Sequence, residues 1–425
     1  MDQIILGNNF WRNKTTPIAF QAQDRLRHMY MLGKTGAGKS TVFQNMCLQD
    51  IQNHHGVCFI DPHGESIKWL LERIPKNRLE DVILFDPSDL NYPIGFNLLD
   101  YSSEDEKDFL VAECISIFYK LFDPQKTGVV GPQFEHWLRN AAYTVMAGPT
   151  PGSLLDIPRL FVDKKFEQAK RQYVQDPVVL DFWSKQMAKT SEFHRSEMLN
   201  YFSSKFGQFT NNRMVRNIIG QNKSQINFDN ILSHDKIFLA DLSKGKIGES
   251  NTQMLGLILI AKLQIAIMKR AKISQAQRSP FYLYVDEFQN FLTDSFISLL
   301  SESRKYGLGV HLTNQYFAQL TPEIQKAVLG NVGTILLFTL GLADAEVLEK
   351  EFEPITKNDL INLPQYNYYL KLMINGRTSI PFSGVGLPPI KDSDPEQVAS
   401  IININRLAYG RPVELVEALI GQAFK

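Results

Sequence analysis

Eight consecutive residues, Gly33-Lys34-Thr35-Gly36-Ala37-Gly38-Lys39-Ser40, have the types and spacing of a phosphate cradle. Glycines let backbone N–H groups curl around phosphate oxygens that a Cβ would obstruct. In a Gly-x4-Gly-Lys-Ser pattern, Lys39 reaches toward the β- and γ-phosphates of ATP and the Ser40 hydroxyl toward Mg²⁺, with Thr41 next in the first helical turn. The surroundings fit: 28–32 reads as an apolar strand and 39–52 as a helix, whose N-terminus carries partial positive charge. A Gly-rich turn with a coincidental lysine is the competing reading, and the flanking elements argue against it.

A second group completes the chemistry. The apolar run 281–285 ends in Asp286-Glu287, where Asp286 would orient the Mg²⁺ shell and Glu287 would polarise an attacking water. Acids at strand ends also cap helices, so this pair gains meaning from the cradle upstream. The Glu directly after the Asp favours ATP hydrolysis over a GTPase-type switch. One strand later, 309–312 leads to Thr313-Asn314-Gln315, and Gln315 is placed either to sense the γ-phosphate or to serve as a structural amide. Arg304 precedes that strand, either as a solvated helix-end cation or as an arginine finger for a neighbouring subunit's γ-phosphate. Asp61-Pro62-His63-Gly64-Glu65 follows another strand at the edge where open α/β sheets bind ligands, and a capped turn explains it equally well.

The elements that must hold these groups alternate. Strands are expected at 56–60, 81–85, 236–242, 334–338 and 368–373, with helices at 252–271 and 412–420. Between them the rhythm changes to helix-period segments, including 109–121, 134–146 and 197–206. The expectation is an α/β class: a nucleotide-binding domain with a mostly parallel sheet over 1–101 and 222–425, and an all-α insertion over 102–221.

The chain has 425 residues, enough for two domains, and 45 basic against 45 acidic residues, so net charge neither favours nor excludes nucleic acid. Three dispersed cysteines argue against a disulfide framework or a zinc site. The longest apolar stretch, 255–268, is interrupted by Lys262 and Gln264 and is too short to span ~30 Å of hydrocarbon. A cytoplasmic station, or a peripheral one at the inner face of the cell membrane, is therefore expected.

Taken together, the residues resemble the type IV secretion coupling proteins of conjugation (the TraG type), within the FtsK–HerA group of P-loop ATPases. The resemblance rests on Arg25-Leu26-Arg27-His28, Asp61-Pro62-His63-Gly64-Glu65, Gly95-Phe96-Asn97-Leu98-Leu99, Val285-Asp286-Glu287-Phe288, Ser303-Arg304-Lys305-Tyr306-Gly307-Leu308 and Arg406-Leu407-Ala408-Tyr409-Gly410-Arg411-Pro412. It implies a RecA-like motor domain plus an all-α domain, assembled as a hexameric ring that hydrolyses ATP and pumps single- or double-stranded DNA, with a relaxase or other secretion components as partners. In it Lys39, Ser40, Asp286, Glu287 and Gln315 keep nucleotide roles and Arg304 is the trans-acting arginine. Phe338-Thr339 stands where many relatives have a second arginine. A HerA-like motor paired with a nuclease, and a secretion ATPase for protein substrates, are the alternatives.

For DNA contact, two regions stand out. The stretch 164–223 has an excess of basic residues interleaved with aromatics such as Phe182, Trp183, Phe202 and Phe206, which reads either as a strand-binding surface or as a solvated face over an aromatic core. The turn Ser243-Lys244-Gly245-Lys246-Ile247-Gly248 puts Lys244 and Lys246 among glycines, as a channel loop touching the DNA backbone would.

Overall fold

The computed structural model describes residues 3–423. It divides into two compact units: a sheet unit of Met1–Phe85, Phe228–Ser243 and Ala266–Ile404, and a helical unit of Asp86–Asn227, Lys244–Ile265 and Asn405–Lys425.

The sheet unit is built on β1 (Gln3–Trp11), β2 (Lys14–Gln21), β3 (Met29–Leu32), β4 (Gly56–Asp61), β5 (Val82–Phe85), β6 (Ile237–Asp241), β7 (Phe281–Val285), β8 (Leu308–Asn314), β9 (Thr334–Leu337), β10 (Asn367–Lys371), the short hairpin β11 (Met373–Ile374) and β12 (Arg377–Thr378), and β13 (Phe382–Gly386). Eleven strands form one sheet in the order β2-β1-β13-β10-β9-β3-β8-β7-β4-β6-β5. From β9 to β5 every neighbouring pair is parallel. Both faces of those strands are covered, so Met29–Leu32, Phe281–Val285 and Leu308–Asn314 are buried at every position, and the polar residues fall mostly at strand ends. The remaining pairs, β10 with β9 and β13, β13 with β1, and β1 with β2, are antiparallel.

Three features depart from the sequence expectation. The N-terminal hairpin of β1 and β2 was not expected, and the last strand of the sheet is β13 rather than β10. The helical unit extends beyond 102–221: it takes in 86–101, the first part of the long helix Glu249–Lys269, and the C-terminal helix Val413–Ala423. Within that unit, Glu417 draws the C-terminal helix in by accepting from Arg213 Nε at 2.5 Å and Asn217 Nδ2 at 3.0 Å.

The helical unit is packed on aromatics. Phe118 meets Phe206 at 4.7 Å and Phe134 meets Phe202 at 4.6 Å between ring centroids. Phe182 and Trp183 are buried with them, and the Trp183 indole donates to Thr144 Oγ1 at 2.8 Å. These rings are core, so they cannot stack on bases. Several of the basic residues in the same stretch are engaged within the unit, as in Arg171 with Glu167 and Lys185 with Asp181.

Arg25, the first residue of a motif singled out in the sequence, lies inside the sheet unit. It is fully buried and donates to both oxygens of the equally buried Asp50, at 2.5 Å each. Its guanidinium also donates to the Tyr284 hydroxyl at 3.1 Å and lies 3.7 Å from the Tyr282 ring centroid. The Tyr284 hydroxyl in turn donates to Asp50. The network ties the C-terminal end of the helix Lys39–Gln52 to β7. Removing one partner of such a pair leaves an uncompensated buried charge. Asp50→Ala should therefore cost about 3–5 kcal/mol in chemical unfolding of the sheet unit; a loss no larger than the ~1 kcal/mol typical of a surface pair would rule this reading out.

Candidate nucleotide site

The cradle follows β3 directly. Its backbone turns through Gly36 (φ 76°) and Gly38 (φ 116°), conformations that side chains resist. Gly33 and Gly38 are also required for space: a Cβ on Gly33 would lie 2.5 Å from Phe338 Cβ, and one on Gly38 would lie 2.8 Å from the Tyr366 ring. The helix Lys39–Gln52 starts immediately after, so the cradle leads straight into a helix terminus with its partial positive charge.

Lys39 is buried, and its ammonium donates to the carbonyls of Gly33 (2.5 Å) and Lys34 (3.1 Å). Burial lowers its pKa, while the nearby charges of Glu287 and Asp286 pull the other way. Ser40 and the residues Lys34, Thr35 and Gly36 are exposed at the mouth of the cradle, and Thr41 is half-buried.

β8 lies between β3 and β7, with Leu32 opposite Asn314 and Val285 opposite Leu312. That register sets Thr313 beside Asp286, and its hydroxyl donates to Asp286 Oδ1 at 3.1 Å. Burial pushes the Asp286 carboxyl up to about 7, with the charges of Asp61 and Glu287 adding to it. A carboxylate crowded by other acids is short of positive charge, and a divalent cation is what such a group accommodates. Ser40 and Asp286 are the residues that would hold Mg²⁺. Among the described residues no cluster of three or more His, Cys, Asp or Glu is arranged around a metal position. Mg²⁺ does not require such a cluster, because it takes one or two protein ligands together with phosphate oxygens and water.

Glu287 takes up a left-handed conformation, φ 47° and ψ 50°. For a residue with a side chain this costs roughly 1–2 kcal/mol. The strain is held by the Asn290 side-chain amide, which donates to the Glu287 carbonyl at 2.7 Å, and by the Glu287 N–H, which donates to Asp286 Oδ1 at 3.0 Å. Gln289 Nε2 donates to Glu287 Oε2 at 2.7 Å and aims the carboxylate. The result is a buried carboxylate, fixed in direction, close enough to Lys39 to act on its charge.

Gln315 accepts from the Thr35 hydroxyl at 3.0 Å, which fastens it to the cradle. Asn314, just before it, is fully buried and accepts from the Tyr30 hydroxyl at 2.7 Å. Asp61 closes the turn into the helix Glu65–Leu71, because its oxygens accept from the N–H groups of His63 (2.7 Å) and Ser66 (2.8 Å).

Arg304 stands apart. It is exposed in the 3₁₀ turn Ser303–Tyr306, before the first residue of β8, whereas Gln315 follows the last. Seven strand residues separate the two positions, roughly 20 Å at about 3.3 Å per residue. Arg304 opens instead onto a recess of about 1040 Å³ that Arg27, Asp24 and Pro280 also line.

Residues 6–126 match the sequence family described as the central domain of helicase HerA. That match takes in β1 to β5, the phosphate cradle and the first helices that follow them. No curated protein sequence matches it. The fold of this chain is similar to that of the bacterial conjugative coupling protein TrwB in an unbound form, at 12% identity and a TM-score of 0.62 over 93% of this chain and 90% of that one. TrwB in complex with ADP and Mg²⁺ aligns at 13% identity and a TM-score of 0.63, over 93% and 97% of the two chains. VirB4 of Thermoanaerobacter pseudethanolicus aligns at 16% identity and a TM-score of 0.57, over 91% and 96%. The RecA-like P-loop fold with its added helices is thus shared with both.

One segment differs from its sequence description. Lys244 and Lys246 lie on a single helical turn, Lys244–Ile247, rather than in a loose loop. Gly248 ends that turn at φ 86°, and Lys244 Nζ donates to Glu249 at 3.1 Å. Phe338 and Thr339 serve the cradle: Phe338 is buried beneath Gly33, and the Lys34 N–H donates to the Thr339 carbonyl at 3.0 Å. Among the described residues no helix is long and apolar enough to cross a membrane.

Proposed function

We propose that this ATPase is a ring-forming DNA translocase of the conjugative coupling kind, in which each nucleotide is hydrolysed at a boundary between subunits. The observation that carries the proposal is the division of the catalytic set across the sheet. Lys39, Ser40, Asp286, Glu287 and Gln315 gather at one edge, and Arg304 sits at the other, beyond the reach of its own nucleotide. In this reading Lys39 holds the β- and γ-phosphates, Ser40 and Asp286 hold Mg²⁺, Glu287 takes a proton from the attacking water and Gln315 registers the γ-phosphate. Arg304 completes the neighbouring subunit's site and makes turnover depend on assembly. A head-to-tail contact of this type closes into a ring, with six subunits expected from the resemblance to coupling proteins.

DNA as the substrate is supported by the resemblance to conjugative coupling proteins and by the likeness in fold to TrwB. Relaxase or other secretion components are the partners this reading implies, and the working place is the cytoplasm or the inner face of the cell membrane. Lys244 and Lys246 are the proposed contacts to the DNA backbone, where a compact positive charge follows phosphates without reading sequence. The second reading, a HerA-like motor that works beside a nuclease, is favoured by the match of residues 6–126 to the HerA central domain. A relaxase bound in pull-down supports the first reading, and a bound nuclease the second.

The test is the specific ATPase rate as a function of protein concentration, with and without single- and double-stranded DNA. The rate per subunit should rise with concentration, and DNA should raise it further. Lys244→Glu combined with Lys246→Glu should reduce the DNA-stimulated component and leave basal turnover within about twofold, as expected for screened charges that take no part in holding the nucleotide. A rate per subunit that is flat in concentration and indifferent to DNA would sink the assembly and the substrate together.

A further inference from the structure

The cradle is held by Thr339 and by the segment 363–366, and the contacts made by Gln365 and Tyr366 fall on carbonyls, which phosphates do not use. The Thr339 hydroxyl donates to the Leu363 carbonyl at 2.8 Å, and the Lys34 N–H donates to the Thr339 carbonyl at 3.0 Å. The Gln365 side-chain amide donates to the Gly36 carbonyl at 3.0 Å, and the Tyr366 N–H donates to the Ala37 carbonyl at 2.9 Å. Two successive carbonyls, of Gly36 and Ala37, are thereby engaged by this segment, which keeps acceptor oxygens from facing a bound anion.

Tyr366 itself is left in an unusual state. Its backbone is left-handed at φ 65°, a conformation costly for an aromatic residue. Its ring lies against Gly38, so closely that a Cβ there would come within 2.8 Å of it, yet 38% of the residue remains open to solvent. A buried ring would need no further explanation. An exposed one, held in a strained backbone at the rim of a phosphate cradle, offers a flat apolar face to whatever is attached to those phosphates.

The sheet order says which end of the nucleotide that is. β3 has β8 and then β7 on one side, and β9 and then β10 on the other. The groups suited to the γ-phosphate, Glu287 and Gln315, follow β7 and β8. Tyr366 immediately precedes β10. A nucleotide whose terminal phosphate lies on the β7 and β8 side directs its ribose and base to the opposite side, where Tyr366 stands.

We infer that Tyr366 is the platform on which the purine base of the bound nucleotide stacks, and that Gln365 positions the cradle beneath it. The inference rests on the nucleotide reading of the cradle given above. Stacking on one aromatic face accounts for about a tenfold gain in affinity.

The experiment compares two ligands that share phosphates and differ in the base. Binding of ATP and of inorganic tripolyphosphate is measured for the full chain and its variants by calorimetry. Tyr366→Ala should weaken ATP about tenfold and leave tripolyphosphate unchanged, while Tyr366→Phe should restore ATP to within about twofold of the parent. Equal weakening of both ligands would reduce Tyr366 to a brace for the cradle and overturn the platform. So would an ATP affinity that the Ala variant leaves unchanged. If the parent chain bound neither ligand, the nucleotide reading itself would fall, and this inference with it.

Discussion

Glu287→Gln is expected to bind ATP as tightly as the parent chain and to hydrolyse it on the order of 10²–10⁴ times more slowly, the range a positioned general base supplies. The reasoning starts from the backbone. The chain holds Glu287 in a left-handed conformation against a cost, and Asn290 and Gln289 are committed to fixing its carbonyl and its carboxylate. A residue kept there only to cap the next turn would not need its side chain aimed. Glutamine has the same shape and can occupy the same backbone, so the cradle around Lys39 should be undisturbed. It cannot accept a proton from water.

The same substitution has a second consequence that separates chemistry from folding. The charge of Glu287 helps to push the Asp286 carboxyl up to about 7, so it is an unfavourable neighbour for an ionised Asp286. Removing that charge relieves the crowding. The variant should therefore unfold at a temperature no lower than the parent while its turnover collapses. ATP affinity and turnover lost together, with a lower melting temperature, would mean that Glu287 is structural.

How far the sequence alone reaches can be judged from particular elements. The parallel strands were legible because both faces are buried: 281–285 and 29–32 are unbroken apolar runs, and each leads into its functional residues. The hairpin of β1 and β2 was not. Its turn is Arg12-Asn13, with both residues at positive φ, where Asn-Gly would be the recognisable signal. It is placed by β13, whose Val385 pairs with Asn8, and a partner that far along the chain leaves no local trace. At Lys244–Ile247 the glycines misled: Gly248 ends a helical turn rather than loosening a loop. For Arg25 the types were right and the setting invisible, since only the fold brings Asp50, Tyr282 and Tyr284 around it. Gln365 and Tyr366 follow no spacing rule at all, and they gain meaning only because β10 lies two strands from β3.

Arg304→Ala should reduce turnover on the order of 10³-fold, the scale of an arginine finger, and leave ATP affinity nearly intact. The second-largest effect thus falls on a residue that touches nothing at its own subunit's cradle. β8 leads away from Arg304 and toward Gln315, so on the proposed reading the two ends of one strand would serve two different nucleotides. His28 keeps that arrangement rigid. The Val310 N–H donates to its Nδ1 at 3.1 Å, so Nε2 carries the proton and donates to the Leu300 carbonyl at 2.9 Å. Burial, with Arg304 adding to it, lowers its pKa to about 4, so the ring stays neutral and the link between β3 and the helix Asp294–Glu302 holds across the working pH range. Mixing decides whether the arginine acts across subunits. Lys39→Ala keeps its arginine and loses its cradle, and Arg304→Ala does the reverse, so each is inactive alone. In rings assembled from equal amounts of both, about one boundary in four pairs an intact cradle with an intact arginine. Activity should return to about that fraction of the parent rate if subunits act independently. A mixture as silent as its components would mean that Arg304 does not complete a neighbouring subunit's site and would overturn its action across the boundary.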